Sequence, residues 1–221
     1  MNAIFKLDRQ SNRLYHAEGM LLDPSNRVWV WTASPPPASS EAIDAIAAAT
    51  WLQRESEYPL RIPVGVVGPR EASTQSLITA RKLGFRLARM GFTVLCGGRQ
   101  GVMEAVCRGV QEAGGLSIGL LPEGDADVAN PYVSLALATG VGEARNALIA
   151  RASLCLVAVG DSYGTLSEIA LGLHFGKRVV GLEGAAKVEG VRHVPHVDHA
   201  LSEVAAVALG FEPERMESRD A

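Results

Sequence analysis

Aromatic residues make up only 5% of this 221-residue chain. That is too few for a platform that stacks nucleic-acid bases. Basic blocks are absent as well. The 21 Lys and Arg face 24 Asp and Glu, for a formal net charge of −3, which excludes a broad nucleic-acid footprint. No apolar run reaches the roughly 18–20 residues of a membrane span. The segment Met1 to Gln10 carries Lys6, Asp8 and Arg9 and lacks the apolar core of a secretion signal. Cysteine is scarce. Cys96, Cys107 and Cys155 are an odd set without CxxC spacing, read here as buried reduced thiols, so the cytoplasm is the expected compartment. Histidine is missing from the loops expected at strand ends, so no serine–histidine–acid set can be assembled there. His193, His196 and His199 are spaced by three, but Pro195 breaks the helix that would put them on one face, and no metal site is expected.

Glycine and apolar residues are abundant. The chain has 23 glycines and is 48% apolar, with glycine above its usual share of about 7%. The glycines sit at the ends of apolar runs, where they mark tight turns. From Val64 onward the pattern is strand, glycine turn, helix, repeated. Expected strands are Val64–Gly68, Thr93–Cys96, Leu116–Leu121, Val133–Ala138, Leu154–Val159 and Arg178–Leu182. Expected helices run over Ser76–Met90, Val102–Ala113, Glu143–Ala152, Gly164–Phe175 and His199–Leu209. Apolar strands alternating with helices predict a doubly wound, mostly parallel sheet covered on both faces. Analogy suggests the strand order 3-2-1-4-5-6. A ligand would then lie at the carboxyl ends of the strands, beside the switch between strands one and four. The loops Gly68 to Thr74 and Thr139 to Arg145 should face it, with Gly160 to Thr165 adjacent.

Residues 1–60 read differently, as an extension to a main domain of residues 61–221. Leu14–Glu18 and Val28–Thr32 are expected to form a hairpin around the turn signal Asp23-Pro24-Ser25-Asn26. After Pro35-Pro36-Pro37, Ser39 or Ser40 can cap a helix running from Glu41 to about Arg54.

Four stretches carry the chemistry. Gly160-Asp-Ser-Tyr-Gly-Thr165 follows a strand and opens a helix, a setting that favours an anion through free N–H groups and the helix dipole. Gly160, Ser162, Tyr163, Gly164 and Thr165 are therefore candidate phosphate ligands. Gly164 permits close approach and Thr165 offers a hydroxyl; a plain strand-to-helix turn is the alternative. Glu168 has two readings. It closes a capping box with Thr165, or it is a pocket carboxylate serving as acid, base or hydroxyl acceptor. Gly97-Gly-Arg-Gln-Gly101 is a second glycine turn, matching neither a Walker A loop nor GxGxxG. Gly68, Gly97, Gly98, Gly101 and Thr139 join the candidate site from their turns. Arg145 and Asn146 open a helix at the expected crevice, where Arg145 can clamp a phosphate with two parallel hydrogen bonds or else pair with a carboxylate.

These stretches resemble a known family. Cys96-Gly-Gly-Arg-Gln-Gly-Val-Met-Glu-Ala105, Ala144-Arg-Asn146 and Tyr163-Gly-Thr-Leu-Ser-Glu168 look like the Lonely Guy superfamily, many of whose members carry the label "possible lysine decarboxylase". Asn130-Pro-Tyr132 and Thr139-Gly-Val-Gly-Glu-Ala-Arg-Asn146 resemble its branch of molybdenum-cofactor carrier proteins. The likeness covers about Val64 to Leu209. It implies a Rossmann-like homodimer binding a phosphorylated, nucleotide-like small molecule, with no required cofactor but a nucleotide or molybdenum cofactor as the bound ligand. The helices that begin near Gly101 and Glu143 are expected to form the dimer contact. Nucleic acid and membrane are not among the expected partners. In enzymatic members, a PGGxGTxxE stretch binds a nucleoside monophosphate. By motif position Glu168 and Arg145 would then be catalytic in hydrolysis of the N-glycosidic bond. No residue signals a pyridoxal site for lysine decarboxylation. Val159-Gly160-Asp161-Ser162 replaces Pro-Gly-Gly, and Asn146 stands where the enzymes have lysine. The retained Glu168 and Arg145 favour the enzyme; Asp161 and Asn146 favour a binder or carrier.

Overall fold

The computed structural model describes residues 5–16 and 18–211. Two units emerge from it: residues 5–60 with 204–211, and residues 61–203.

In the first unit, Phe5–Asp8 (β1) buries Phe5 and Leu7 on one face and exposes Lys6 between them, while Asp8 at its end is buried as well. It pairs with Arg13–His16 (β2), followed by Met20–Asp23 (β3), Val28–Trp31 (β4) and Glu41–Ile43 (β5). The sheet is antiparallel with order β4-β3-β2-β1-β5. The expected N-terminal antiparallel hairpin is present, but its first strand is β3 rather than Leu14–Glu18. β3 lies between β2 and β4, with Leu21 opposite both Tyr15 and Val30. The Asp23–Asn26 turn joins β3 to β4, its Asp23 carboxylate accepting from the Ser25 N–H at 3.0 Å. The helix start is corrected too. Ile43 pairs with Phe5, which draws residues 41–43 into the sheet. The helix, Ala45–Arg54 (α1), begins only at the cap Asp44, which accepts from the Ala47 N–H at 2.8 Å. Trp29 stacks on Phe5 with ring centroids 5.5 Å apart and donates Nε1–H to the Leu209 carbonyl at 3.0 Å. That contact ties residues 204–211 to this unit.

The second unit holds seven parallel strands: Val64–Val67 (β6), Val94–Cys96 (β7), Ser117–Leu121 (β8), Leu135–Ala138 (β9), Leu156–Val159 (β10), Val179–Leu182 (β11) and Val191–His193 (β12). All residues of β6, β7, β10 and β11 are buried, as a sheet covered on both faces requires. Its helices are Thr74–Arg89 (α2), Val102–Glu112 (α3), Arg145–Ala152 (α4) and Tyr163–His174 (α5); Val197–Ala208 (α6) starts in this unit and ends in the 204–211 segment of the first. The backbones of α2 and α3 nearly touch: a Cβ on Gly109 would lie 2.0 Å from the Arg81 carbonyl oxygen. None of the described helices is long and apolar enough to cross a membrane.

The strand order is β12-β11-β10-β6-β7-β8-β9, which corrects the expected 3-2-1-4-5-6. The fourth strand, β9, does not cross to the far side of β6. Its connection from β8 contains only one 3-10 turn, Ala126–Val128, so it settles beside β8, with Leu135 opposite Ile118. Its side chains Leu135 (49% exposed) and Leu137 (43%) mark a sheet edge. The chain then returns through α4 to place β10 beside β6. The switch in winding therefore falls between β6 and β10.

Candidate functional site

At that switch, the loops that leave the carboxyl ends of β6 and β10 border a cleft of about 820 Å³. Gly68, Pro69, Arg70 and Glu71 line one side from the loop after β6. Residues 161–165, at the start of α5, line the other, and Arg145, Asn146 and Glu168 complete it.

The start of α5 shows what Glu168 does not do. Ser162 is the cap: its Oγ accepts from the Thr165 N–H at 3.1 Å and shares a 2.9 Å hydrogen bond with the Thr165 hydroxyl. Thr165 is therefore the third helical residue, and the alternative capping box between Thr165 and Glu168 does not form. The first helical N–H groups, of Tyr163 and Gly164, have no intrahelical partner. Glu168 lies one turn further on, only 6% exposed, with its Oε1 accepting from Arg145 Nη1 at 3.2 Å.

Arg145 is equally buried, at 4% exposure. Nη1 also donates to Asn146 Oδ1, while Nε has no acceptor among the described residues. Asn146 Nδ2 donates to Ser167 Oγ at 2.9 Å, and Ser167 Oγ–H donates to the Gly164 carbonyl at 2.7 Å. The starts of α4 and α5 are thus joined twice, by Arg145–Glu168 and by Asn146–Ser167–Gly164. Burial pushes the Glu168 carboxyl up to about 8, and the charge of Glu143 adds to this. The Arg145 guanidinium opposes both through its charge and its hydrogen bond. Near neutral pH this carboxyl is mostly protonated and can donate. At the rim, Arg70 faces Glu143 at 3.9 Å.

Of the residues singled out in the sequence, Gly68, Arg145, Asn146, Ser162, Tyr163, Gly164, Thr165 and Glu168 line the cleft. Gly97, Gly98, Gly101, Thr139 and Gly160 do not. Gly97 stands against the arginine instead: a Cβ there would lie 2.7 Å from Arg145 Nη2 and 2.7 Å from Met103 Sδ. Gly101, at φ +71°, lets its turn pass the loop after β6, since a Cβ would meet the Arg70 carbonyl oxygen at 2.2 Å. Gly98 lies against Gly119 of β8, and the backbone N–H of Gly160 is taken by the Leu182 carbonyl at 3.0 Å. The Thr139 hydroxyl donates to the Leu121 carbonyl at 2.7 Å. The strand order explains Thr139: its loop leaves the sheet edge, and only Glu143 onward reaches the cleft. Sequence reasoning did not single out Arg70, Glu71, Met103, Glu143 or Ser167 as site residues. Arg70 and Glu71 sit in a loop already expected to face the ligand, so position was a usable signal. For Met103 there was none, because its place depends on the Gly97–Gly101 turn.

The molybdenum cofactor binding protein from the phototrophic bacterium Rippkaea orientalis is 32% identical, covering 67% of this chain and 98% of that one, with a TM-score of 0.63. The molybdenum cofactor carrier protein from Chlamydomonas reinhardtii is 34% identical over 66% of this chain and 98% of its own, with a TM-score of 0.62. An uncharacterized protein of Archaeoglobus fulgidus is 39% identical over 129 residues, 58% of this chain and 85% of that protein. These likenesses agree with the Rossmann-like fold and the carrier-protein branch indicated by the motifs. The model of the SLOG cluster4 family matches residues 61–209, and the chain belongs to that family.

Proposed function

We propose that the cleft holds a phosphorylated, nucleotide-like ligand, a nucleotide or a molybdopterin-type cofactor, and that the protein acts as its carrier or sensor. One observation carries this reading: a buried guanidinium and the N-terminus of an α-helix line the same cleft. Both features favour an anion. The volume lies in the usual range of about 300–1,000 Å³ for small-molecule sites. The solved relatives named above are a cofactor binding protein and a cofactor carrier, which supports a carrier role. Among the described residues no group of three His, Cys, Asp or Glu is placed to hold a metal ion. The donors present suit the phosphorylated organic part of such a ligand: guanidinium, hydroxyl and backbone N–H.

A second reading keeps the same pocket but adds hydrolysis. The observation favouring it is the contact of Glu168 with Arg145, because a carboxyl protonated near neutral pH can serve as a general acid. Asp161 and Asn146, at positions where the enzymes of the superfamily have glycine and lysine, support the carrier. Incubation with each common nucleoside monophosphate, followed by chromatography for free base, separates the two. The carrier reading expects no base above the enzyme-free control. Sustained release that falls about 10²–10⁴-fold in Glu168→Gln would replace it with the N-glycosidase.

A cytoplasmic homodimer belongs to the same proposal. Leu148 on α4 is 48% exposed, an apolar side chain on one of the helices expected at the contact. Light scattering at micromolar concentration should give twice the chain mass, and a monomer at all concentrations would remove the dimer from the proposal.

A further inference from the structure

Asn130 does not line the cleft, yet it is buried and fully engaged. Its Nδ2 donates to the Gly98 carbonyl at 3.1 Å and to the Arg99 carbonyl at 3.0 Å. Its backbone N–H donates to the Gly98 carbonyl at 2.9 Å, and its Oδ1 accepts from the Tyr132 N–H at 3.1 Å. A side chain from the connection between β8 and β9 therefore grips two successive carbonyls of the Gly97–Gly101 turn. The same turn is held on its inner side by the Gly98 N–H donating to Cys96 Sγ at 3.4 Å. Gly97, the first residue of the turn, is the one whose absent side chain makes room for the Arg145 guanidinium and for Met103. A turn gripped at residues 98 and 99 cannot shift at residue 97 without pressing on Nη2 or opening a gap beside it.

We infer that Asn130 is a positioning residue for the ligand site: by clamping the Gly98 and Arg99 carbonyls it sets where Gly97 lies and hence where the Arg145 guanidinium lies. The inference deepens the proposed function and rests on the reading of Arg145 as the cation that holds the ligand. Its reach follows from close packing. An interior at crystal-like density transmits a sub-ångström displacement to the next side chain rather than absorbing it. Arg145 has little else to hold it on that side, since Nη1 carries both of its bonds to Asn146 and Glu168.

The Arg145–Glu168 contact supplies a readout that needs no ligand. The guanidinium lowers the titration midpoint of Glu168 against the opposing effect of burial. Moving it away must raise that midpoint, by about 1 pH unit if the contact is largely lost. The experiment is a carbon-13 carboxyl NMR titration of Glu168 in four proteins: the wild type, Asn130→Ser, Gly97→Ala and Ser134→Ala. Asn130→Ser removes the two amide donors but leaves a hydroxyl that can accept from the Tyr132 N–H. Gly97→Ala applies the displacement directly, at a residue without a left-handed backbone. Ser134→Ala is the structural control, because it loses the Ser134 acceptor for the Ser117 N–H (3.0 Å) on the same connection and does not touch the turn.

The expected result is a raised Glu168 midpoint in Asn130→Ser and in Gly97→Ala, with the wild-type value in Ser134→Ala, whatever each costs in melting temperature. A midpoint unchanged in Asn130→Ser, or equally raised in Ser134→Ala, overturns the inference. Should Asn130→Ser not fold, an unchanged midpoint in Gly97→Ala overturns it as well, and a raised one supports it. Binding of inorganic phosphate, measured separately on the wild type, keeps the two readings apart. If the wild type fails to bind phosphate, the proposed function fails; if the Glu168 midpoint fails to move, only the positioning role does.

Discussion

The wild type is expected to lose stability relative to the Glu168→Gln variant as pH rises from 5 to 9. Glu168 ionises near 4.5 in an unfolded chain and near 8 in the folded one. A carboxyl with a raised folded value binds a proton in the native state that the unfolded state has released. Its contribution is therefore fully present below about pH 4.5 and is lost progressively as pH climbs through about 8. Each unit of separation corresponds to about 1.36 kcal/mol, so the full loss is on the order of 5 kcal/mol. Glutamine resembles the protonated acid and can still accept from Arg145 Nη1, but it does not ionise. At pH 5 the two proteins should agree within about 1 kcal/mol, and the variant should be the more stable at pH 9. Other buried groups also differ between the folded and the unfolded chain. The buried His16 imidazole is held below its ordinary value by burial, and the Cys155 thiol is pushed up to about 12. Both are common to the two proteins and cancel in the difference. Urea unfolding at pH 5, 7 and 9 reads that difference. Parallel curves would show that Glu168 is ionised in the folded chain and that the buried-acid description of the cleft is wrong.

Arg145→Met is expected to reduce the affinity for inorganic phosphate and for adenosine monophosphate by about 10–100-fold, the weight of one charged hydrogen-bonding partner. Arg145→Lys should recover little. An ammonium is a point charge on a flexible stem and cannot reproduce a planar fork seated against Gly97 and Glu168. The fold should survive either change better than the usual loss of one member of a buried ion pair, which costs about 3–5 kcal/mol. Here the remaining Glu168 can stay protonated, so no bare charge is left behind. Calorimetric titration of both probes into the wild type and the two variants checks this. Equal affinity in all three would remove Arg145 from the binding machinery.

How far the site was legible differs from residue to residue. β6 and β10 announce themselves as short valine-rich runs closed by glycine, Val64–Val67 before Gly68 and Leu156–Val159 before Gly160. Counting strands hence finds the loop after β6, but with the switch placed between strands one and four it names Thr139–Arg145 as the second facing loop and leaves the loop after β10 only adjacent. The order itself was not legible, because it depends on how far the chain travels between strands. Nothing in the Pro122–Ser134 stretch says that it forms only a 3-10 turn and leaves β9 beside β8. The same limit explains Thr139, which fits the motif yet ends against Leu121.

Caps were ambiguous for a local reason. Ser162 and Thr165 are both good cap residues spaced by three, and choosing Thr165 turns Glu168 into a cap partner. The structure chooses Ser162, which frees Glu168 to meet Arg145 from α4, a long-range contact. In the N-terminal unit, Glu41–Ile43 carries helix-compatible residues. Only the pairing of Ile43 with Phe5, nearly forty residues away, makes it a strand.

The central claim is that a phosphate group sits where the N-terminus of α5 meets the Arg145 side of the cleft. Amide NMR of the uniformly labelled chain, titrated with inorganic phosphate at constant pH and ionic strength, tests it most directly. Saturable shifts are expected to be largest at the N–H groups of Tyr163, Gly164 and Thr165, accompanied by the Arg145 side chain and strongly weakened in Arg145→Met. Shifts spread over other surface residues, or none at the start of α5 at phosphate concentrations that saturate the wild-type calorimetric signal, would contradict it.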